Sequence, residues 1–536
     1  MMRWLGLLLS LVLIGPLSVS GQDLVPFDDD FQVNQYTTGA QALPEVATRA
    51  DGTFTVVWVS EGSLYGPDVS SLSIEGQCFA ADRTPTGFQF QANAYVTGDQ
   101  AFPRIGTQPN GAFVVIWESP GSSGDTSSTS VLVRRFSSDC SSALGAETLV
   151  NEFTTSSQGH PALGMASDGG FVVVWESYGS PGADNFASSI QGRLFASDGS
   201  PSGGQFQVNT YSYSYQILPT VDVASNGDFV VAWQSASSDG GAPDTTTSIR
   251  ARRFASDGTP QGDDFQVNTF TLGVSVTEPW YPSVGVEGDG DFIVVWSSEG
   301  SVGADVDFSI QGQRFASDGM AVGGQFQVNE LTTGSQLYPK VSVDSEGDFL
   351  VTWQSDVSAG TDTAGQSIAV RFFDSAGGSM GNEFQVNSYT TGEQGSPTLH
   401  RFPDDQVLMV WDSSASGGID SKDSSVQARF LATDTDQDSV ADVLDNCPTQ
   451  ANVDQVDSDM DGSGDPCDVC VGDDGFGDGD ADMVCADQDC DDGDPEASSI
   501  GPCGICGGDG STCRIFSDSF ESGDATAWSS SNPPIP

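Results

Sequence analysis

The run Gly170-Phe171-Val172-Val173-Val174-Trp175 is apolar at successive positions, so both faces of the strand it predicts must be covered. Equivalent runs end at Trp58, Trp117, Trp175, Trp233, Trp296, Trp353 and Trp411, at spacings of 59, 58, 58, 63, 57 and 58 residues. Seven copies of one unit therefore fill residues 27–432. Around each Trp strand the pattern predicts three more strands. A short one follows a proline, as in Pro219-Thr220-Val221-Asp222-Val223, and an Asn-Gly or Asp-Gly turn joins it to the Trp strand as a hairpin. A third reads like Ile310-Gln311-Gly312-Gln313-Arg314-Phe315. The fourth, Phe326-Gln327-Val328-Asn329, alternates apolar and polar positions, as suits the rim of a sheet.

Four antiparallel strands in each of seven units predict an all-β fold, a seven-bladed β-propeller. The phase of the repeat supplies its closure. The chain enters on a lone fourth strand, Phe31-Gln32-Val33-Asn34, and leaves the repeats on a third strand, Val426-Gln427-Ala428-Arg429-Phe430. The N-terminal strand thus fills the outer place of the seventh blade. An open β-solenoid competes, but short solenoid coils seldom need units of this length. The units resemble repeats of large bacterial surface proteins, of the form DGGFVVxW…IxGxRFxxDGxxxGxxFQVN. They match neither WD repeats nor the sialidase Asp-box. The resemblance implies export and repetition and says little about ligand.

Charge narrows the partners. The chain holds 75 acidic residues against 17 basic, a net charge of −58, so nucleic acid and anionic membrane are poor partners and cations are natural ones. Arg3 precedes an apolar run from Leu5 to Ile14, and Ser18-Val19-Ser20 supplies small residues for cleavage, so residues 1–20 read as a signal peptide and the mature protein as secreted or surface-associated. Asn-x-Ser/Thr sequons are absent, which favours a bacterial source. Eight of the ten cysteines lie between Cys447 and Cys513, a disulfide framework in an exported chain. Cys78 and Cys140 stand at non-equivalent places in adjacent repeats, and their pairing stays open.

The densest chemistry follows the last repeat. Asp434, Asp436, Asp438, Asp442 and Asp445 occupy positions 1, 3, 5, 9 and 12 of a twelve-residue calcium loop, with the carbonyl of Val440 at position 7. A second frame repeats the phase with Asp457, Asp459, Asp461, Asp465 and Asp468, with Gly462 at the turn and the carbonyl of Ser463 at position 7. Calcium is a hard cation that takes six to eight oxygens, and this spacing delivers them around one point. A solvated acidic linker accounts for neither the periodic spacing nor the interleaved cysteines.

Residues 434–468 resemble a thrombospondin type 3 repeat, through Asp445-Asn446-Cys447-Pro448, Asn452, Gln455 and the Asp-Gly-x-Gly-Asp-x-Cys-Asp sequence ending at Asp468. The resemblance implies bound calcium wrapped by irregular chain and a disulfide between Cys447 and Cys467. Ser439 departs from the usual glycine of the family. Within the Asp- and Cys-rich segment 469–513, a third frame places Asp478, Asp480, Asp482 and Asp489 at positions 1, 3, 5 and 12, without the turn glycine or a position-9 carboxylate. Zinc at Cys467-x-x-Cys470 or Cys503-x-x-Cys506 is disfavoured, because exported thiols oxidise. Residues 514–536 resemble C-terminal tails of other bacterial exports.

Catalytic signals are sparse. His160 and His400 fall at different places in their repeats, and each reads as structural. Gly377-Gly378-Ser379-Met380-Gly381 matches G-x-S-x-G but lies in a Gly-rich turn between strands, without the strand-to-helix context of a hydrolase. A ligand face is expected where the loop after each Trp strand, such as 234–247, meets the link into the next blade. Tyr211, Tyr213 and Tyr215 on one link, and Trp280 and Tyr281 beside the insertion that lengthens one spacing to 63, are the expected exposed aromatics for a sugar or protein partner. The reading is a calcium-binding adhesin without catalysis. Its rivals are a polysaccharide lyase or glycosidase on a propeller scaffold, and a structural envelope protein.

Overall fold

A computed structural model describes residues 23–468, apart from 27–28, 64–70, 122–124, 126–127, 180–186, 211, 213–214, 237–246, 270–279, 300–306, 364, 404–405, 415–422, 439, 443 and 459–462. The expected signal peptide, the expected third calcium frame and the C-terminal tail lie outside the described residues. The contacts divide the chain into two units, 1–432 and 433–536.

The first unit is a seven-bladed propeller. Each blade is an antiparallel sheet running outward from an inner strand through the Trp strand to a third and a fourth strand, as in Gln41–Thr48, Phe54–Glu61, Leu72–Phe79 and Pro85–Gln91 of the first blade. The predicted closure is present. Phe31–Gln32 pairs with Ala428 and Gln427 of the seventh blade, whose inner strands are Gln394–Arg401 and Val407–Ser413. Asp23–Pro26 adds a further strand to that sheet.

The cores lie between blades, which is why the Trp strand is apolar on both faces. Val57 and Val59 pack on Phe113, Val115 and Trp117 of the second blade, while Val56 and Trp58 pack on Leu408 and Val410 of the seventh. All seven Trp side chains of the repeat are fully buried. In five blades the indole N–H donates to the Gln that opens the inner strand, as from Trp58 to Gln41 Oε1 at 2.8 Å. The glycine of the third strand has a packing reason. A Cβ on Gly192 would stand 2.7 Å from the ring of Phe206, which lies across it from the fourth strand.

Two side chains at the rim explain the Phe-Gln-Val-Asn strand. Its Asn accepts a backbone N–H from the third strand of its own blade in all seven blades, at 2.8–2.9 Å, with Asn34 serving the seventh. The residue before its Phe, or before Thr148 in the second blade, accepts the N–H that follows the Asn of the preceding blade. These seven acceptors are Gln89, Glu147, Gln205, Asp264, Gln325, Glu383 and Asp30, at 2.6–3.1 Å. Asp30 completes that ring of latches by taking the N–H of Ser388 and of Tyr389. The first two blades also share a disulfide, Cys78–Cys140, the pairing that the sequence left open.

Candidate functional sites: a calcium module and an axial pocket

In the second unit the first calcium frame is folded around its acids. One carboxylate oxygen from each of Asp434, Asp436 and Asp438 lies within 4.8 Å of the other two. The Asp438 N–H donates to Asp434 Oδ1 and Asp436 Oδ1, which bends the chain so that alternate side chains converge. The Val440 N–H donates to Asp438 Oδ1 and continues the bend. Burial, then the neighbouring charges of Asp438, Asp445 and Asp434, push the Asp436 carboxyl above the usual carboxylate range. Asp436 Oδ2 and Asp445 Oδ2 are buried without a hydrogen-bond donor. Converging carboxylates that repel one another, with a buried oxygen of Asp436 and one of Asp445 taking no hydrogen bond, fit a hard cation, and Asp434, Asp436, Asp438 and Asp445 would hold it.

Asp442 stands apart from that set. Its carboxylate takes the Thr435 N–H and hydroxyl and the Thr433 hydroxyl, bracing the loop. Asp465 repeats the brace on the N–H and hydroxyl of Ser458. The backbone repeats as well, since Asp442 N–H donates to Thr433 and Asp465 N–H to Val456. The two frames therefore share this brace and this backbone bond. Asp457, Ser463 and Asp468 are half-buried, and Asp459 and Asp461 lie outside the described residues.

Cys447 and Cys467 form the disulfide that the resemblance implied, with Cα atoms 5.6 Å apart. Asn446, Asn452 and Gln455 make an amide network beside it, in which Gln455 Nε2 also donates to Asp445 Oδ1. Gly464 passes through this network. A Cβ there would stand 2.5 Å from Asn452 Nδ2.

The propeller holds a second site that the sequence reading missed. Near the start of each inner strand stands a residue of left-handed backbone followed by proline: Leu43, Phe102, His160, Leu218, Tyr281, Tyr338 and Ser396, with φ between 42° and 55°. In six blades the register of the inner strand shifts at this point, which makes it a bulge. Side chains of the preceding blade hold three of these kinks: Glu118 accepts the His160 N–H, Gln234 the Trp280 N–H and Gln354 the Ser396 N–H. All seven kinked residues line one axial cavity of about 250 Å³, on the face predicted for ligand. A second cavity, of about 860 Å³, is lined by residues of the first four blades, among them Asp51, Asn110 and Gly111 of the turns between inner and Trp strands.

The pocket carries its own charge pattern. Glu45 lies 3.0 Å from Arg104 Nη1 and 3.1 Å from Lys340 Nζ, which come from the second and sixth blades. Burial pushes Glu45 up, but Lys340 and Arg104 outweigh it and hold the carboxyl below its ordinary range. Burial lowers Lys340 against the opposing pull of Glu45. Two aromatic pairs form the walls: Tyr281 with Tyr338 at 4.3 Å between ring centroids, and Phe102 with His160 at 4.6 Å. His160 Nδ1 is 3.1 Å from Glu176 Oε2.

The expected exposed aromatics need correction. Trp280 is buried, with 1% of its surface exposed, among Val284, Phe292 and Trp296. It stands one residue before the kink, where Ile217 and Leu337 stand in their blades, and the left-handed Tyr281 turns it into the core. Tyr281 faces the axis. Tyr215 is half exposed, while Tyr211 and Tyr213 lie outside the described residues. His400 is a structural residue of the inner strand, with its Nδ1 2.8 Å from the Thr48 hydroxyl.

Comparison with known proteins agrees with the module. Residues 432–455 match the thrombospondin type 3 repeat family, so the match covers the first calcium frame and stops before the second. The chain is thus a seven-bladed propeller followed by a calcium-binding repeat of that type, and the two disulfides among the described residues fit an extracellular protein. No curated protein sequence matches significantly. Among solved structures, the fold is similar to a protein of unknown function from Dyadobacter fermentans, at 11% identity over 76% of this chain and 98% of that one, with a TM-score of 0.44. It is also similar to an α-L-arabinanase from Penicillium chrysogenum, at 12% identity over 76% and 98% of the two chains, TM-score 0.39. A polysaccharide lyase matches at 7% identity over 77% and 98%, TM-score 0.44.

Proposed function

We propose that this chain is an exported, non-catalytic binding protein that holds a ligand at the propeller axis, serves in adhesion, and carries a C-terminal module ordered by calcium. One observation carries the ligand-binding part. The repeat keeps its Trp, Asn and Pro, yet varies the kinked residue that each blade aims at the axis. Packing positions repeat because packing repeats; seven pocket positions holding five kinds of residue suit one asymmetric ligand. The pocket's central carboxylate, Glu45, is held ionised between two cations, a state suited to positioning charge and unsuited to donating a proton at neutral pH.

The test is retention of labelled mature protein on a panel of polysaccharides and on intact bacterial cells, with calcium and with chelator. Retention that competes with soluble glycan supports the reading, and absence of retention in both conditions sinks adhesion. A second reading, a polysaccharide-acting enzyme, is favoured by His160 at the pocket edge with Glu176 and Glu118. Glu118 is pushed up mainly by burial, and His160 ends above its usual range because those two carboxylates outweigh burial. Depolymerisation of acidic or neutral polysaccharide that His160→Gln abolishes would establish this reading in place of the first.

A further inference from the structure

We infer that the axial pocket holds one carboxylate-bearing sugar residue, a uronate, with its carboxylate on Lys340 and Arg104 and its ring against Tyr281 and Tyr338. This rests on the reading of the propeller as a ligand-binding module, and names its ligand class.

Size comes first. A cavity of about 250 Å³ falls below the roughly 300–1,000 Å³ of sites for drug-sized ligands, so it admits a single ring. Charge comes second. Two cations face one carboxylate here, in a chain where acidic residues outnumber basic ones 75 to 17. Local positive charge that runs against the whole composition points to an anion. The cations also retain donors. Lys340 spends one N–H on Glu45, and Arg104 spends Nη1 on Glu45 and on the Pro103 carbonyl. Their side chains are 34% and 29% exposed, against 15% for Glu45, and all three line the cavity, so a guest meets both cations and the carboxylate. Glu45 then limits the guest to a single negative charge, since a dianion would meet it at close range in a weakly screened site.

Shape comes third. Tyr281 and Tyr338 meet at 42° and make a notch of two ring faces beside Lys340, which follows Tyr338 by two residues. The C–H face of a pyranose covers such rings, while the phenol hydroxyls meet each other at 3.4 Å, Tyr281 donating to Tyr338. An open-chain acid offers no such face. A neutral sugar would leave the net positive charge of two cations on one carboxylate unanswered.

The test uses the full mature chain in calcium, with binding of D-glucuronate and D-galacturonate followed by ligand-observed NMR and calorimetry. Their methyl esters, the neutral parent sugars and the sugar phosphates are the comparators. A uronate should bind, and its methyl ester should bind about tenfold more weakly or worse, as loss of a charge-assisted hydrogen bond implies. Lys340→Met should weaken the acid by a similar factor and leave the ester unchanged, and Tyr338→Leu should weaken both. The comparison of acid with ester needs only the unaltered protein, so a misfolded variant does not decide the matter. Equal binding of acid and ester, equal binding of sugar phosphate, or no binding of either uronate overturns the assignment. Free uronate binding without retention on any cell or polysaccharide would sink adhesion and leave the pocket assignment standing. Retention that saturating uronate does not reduce, with no direct uronate binding, would do the reverse.

Discussion

Glu45 receives one cation from each of two other blades, so its ionisation reports on the assembled ring. Its depressed pKa stabilises the fold above the unfolded carboxylate range near pH 4, and that contribution disappears as the pH falls through the lower folded value. Glu45→Gln should therefore cost about 1.5–3 kcal/mol at pH 7. In urea unfolding followed against pH, the gap between variant and parent should close below about pH 4. At the other site, Asp438→Ala removes a convergent carboxylate that also caps the Asn452 N–H. Calorimetric titration should show one calcium lost or weakened at least about tenfold, within a background range of 10⁻⁴–10⁻³ M for extracellular modules. The sequence made the acids legible, because their phase is a property of a short run of chain. It misplaced Trp280, because an insertion and an aromatic look like a loop tip until the kink at Tyr281 is known.

At the scale of elements, the rim latches convert a sheet repeat into a ring. Gln205→Ala removes an acceptor from the N–H groups of Glu152 and Phe153 and should cost about 1 kcal/mol. Asp30→Ala removes the equivalent acceptor and also loosens the strand that closes the seventh blade. Limited proteolysis should therefore cut that variant first near residues 23–34, which Gln205→Ala leaves protected. In the second unit the disulfide closes a loop of 20 residues, for which chain entropy gives about 3 kcal/mol. Cys447→Ser with Cys467→Ser should weaken calcium binding markedly, because the ligands and Gln455 are ordered together. Strand order, hairpins and closure could be read from the alternation of residues within each unit. The axial pocket could not, since it assembles one residue from each of seven units, and the prolines read only as strand starts.

For the whole molecule, the two units predict two separate responses to chelation. Amide exchange and proteolysis in 433–468 should rise when calcium is removed, as the carboxylates of the first frame lose the cation that offsets their repulsion. Exchange in the propeller strands should not change, because their protection comes from apolar interblade cores, and the acidic cluster described in the propeller, Glu287, Asp289 and Asp291, lies in a turn outside them. A uniform loss of protection across both units would contradict the assignment of calcium to the module alone.

The closure also fixes an order of events in time. Asn34 is made 392 residues before Val426, the residue whose N–H it accepts. The earliest repeat segment to be synthesised is thus the last to find its partner, and it waits while every blade is completed. Until then the first and seventh blades each present an unsatisfied flank to other copies of the chain, so crowding at the site of assembly, more than the stability of the finished ring, sets its yield.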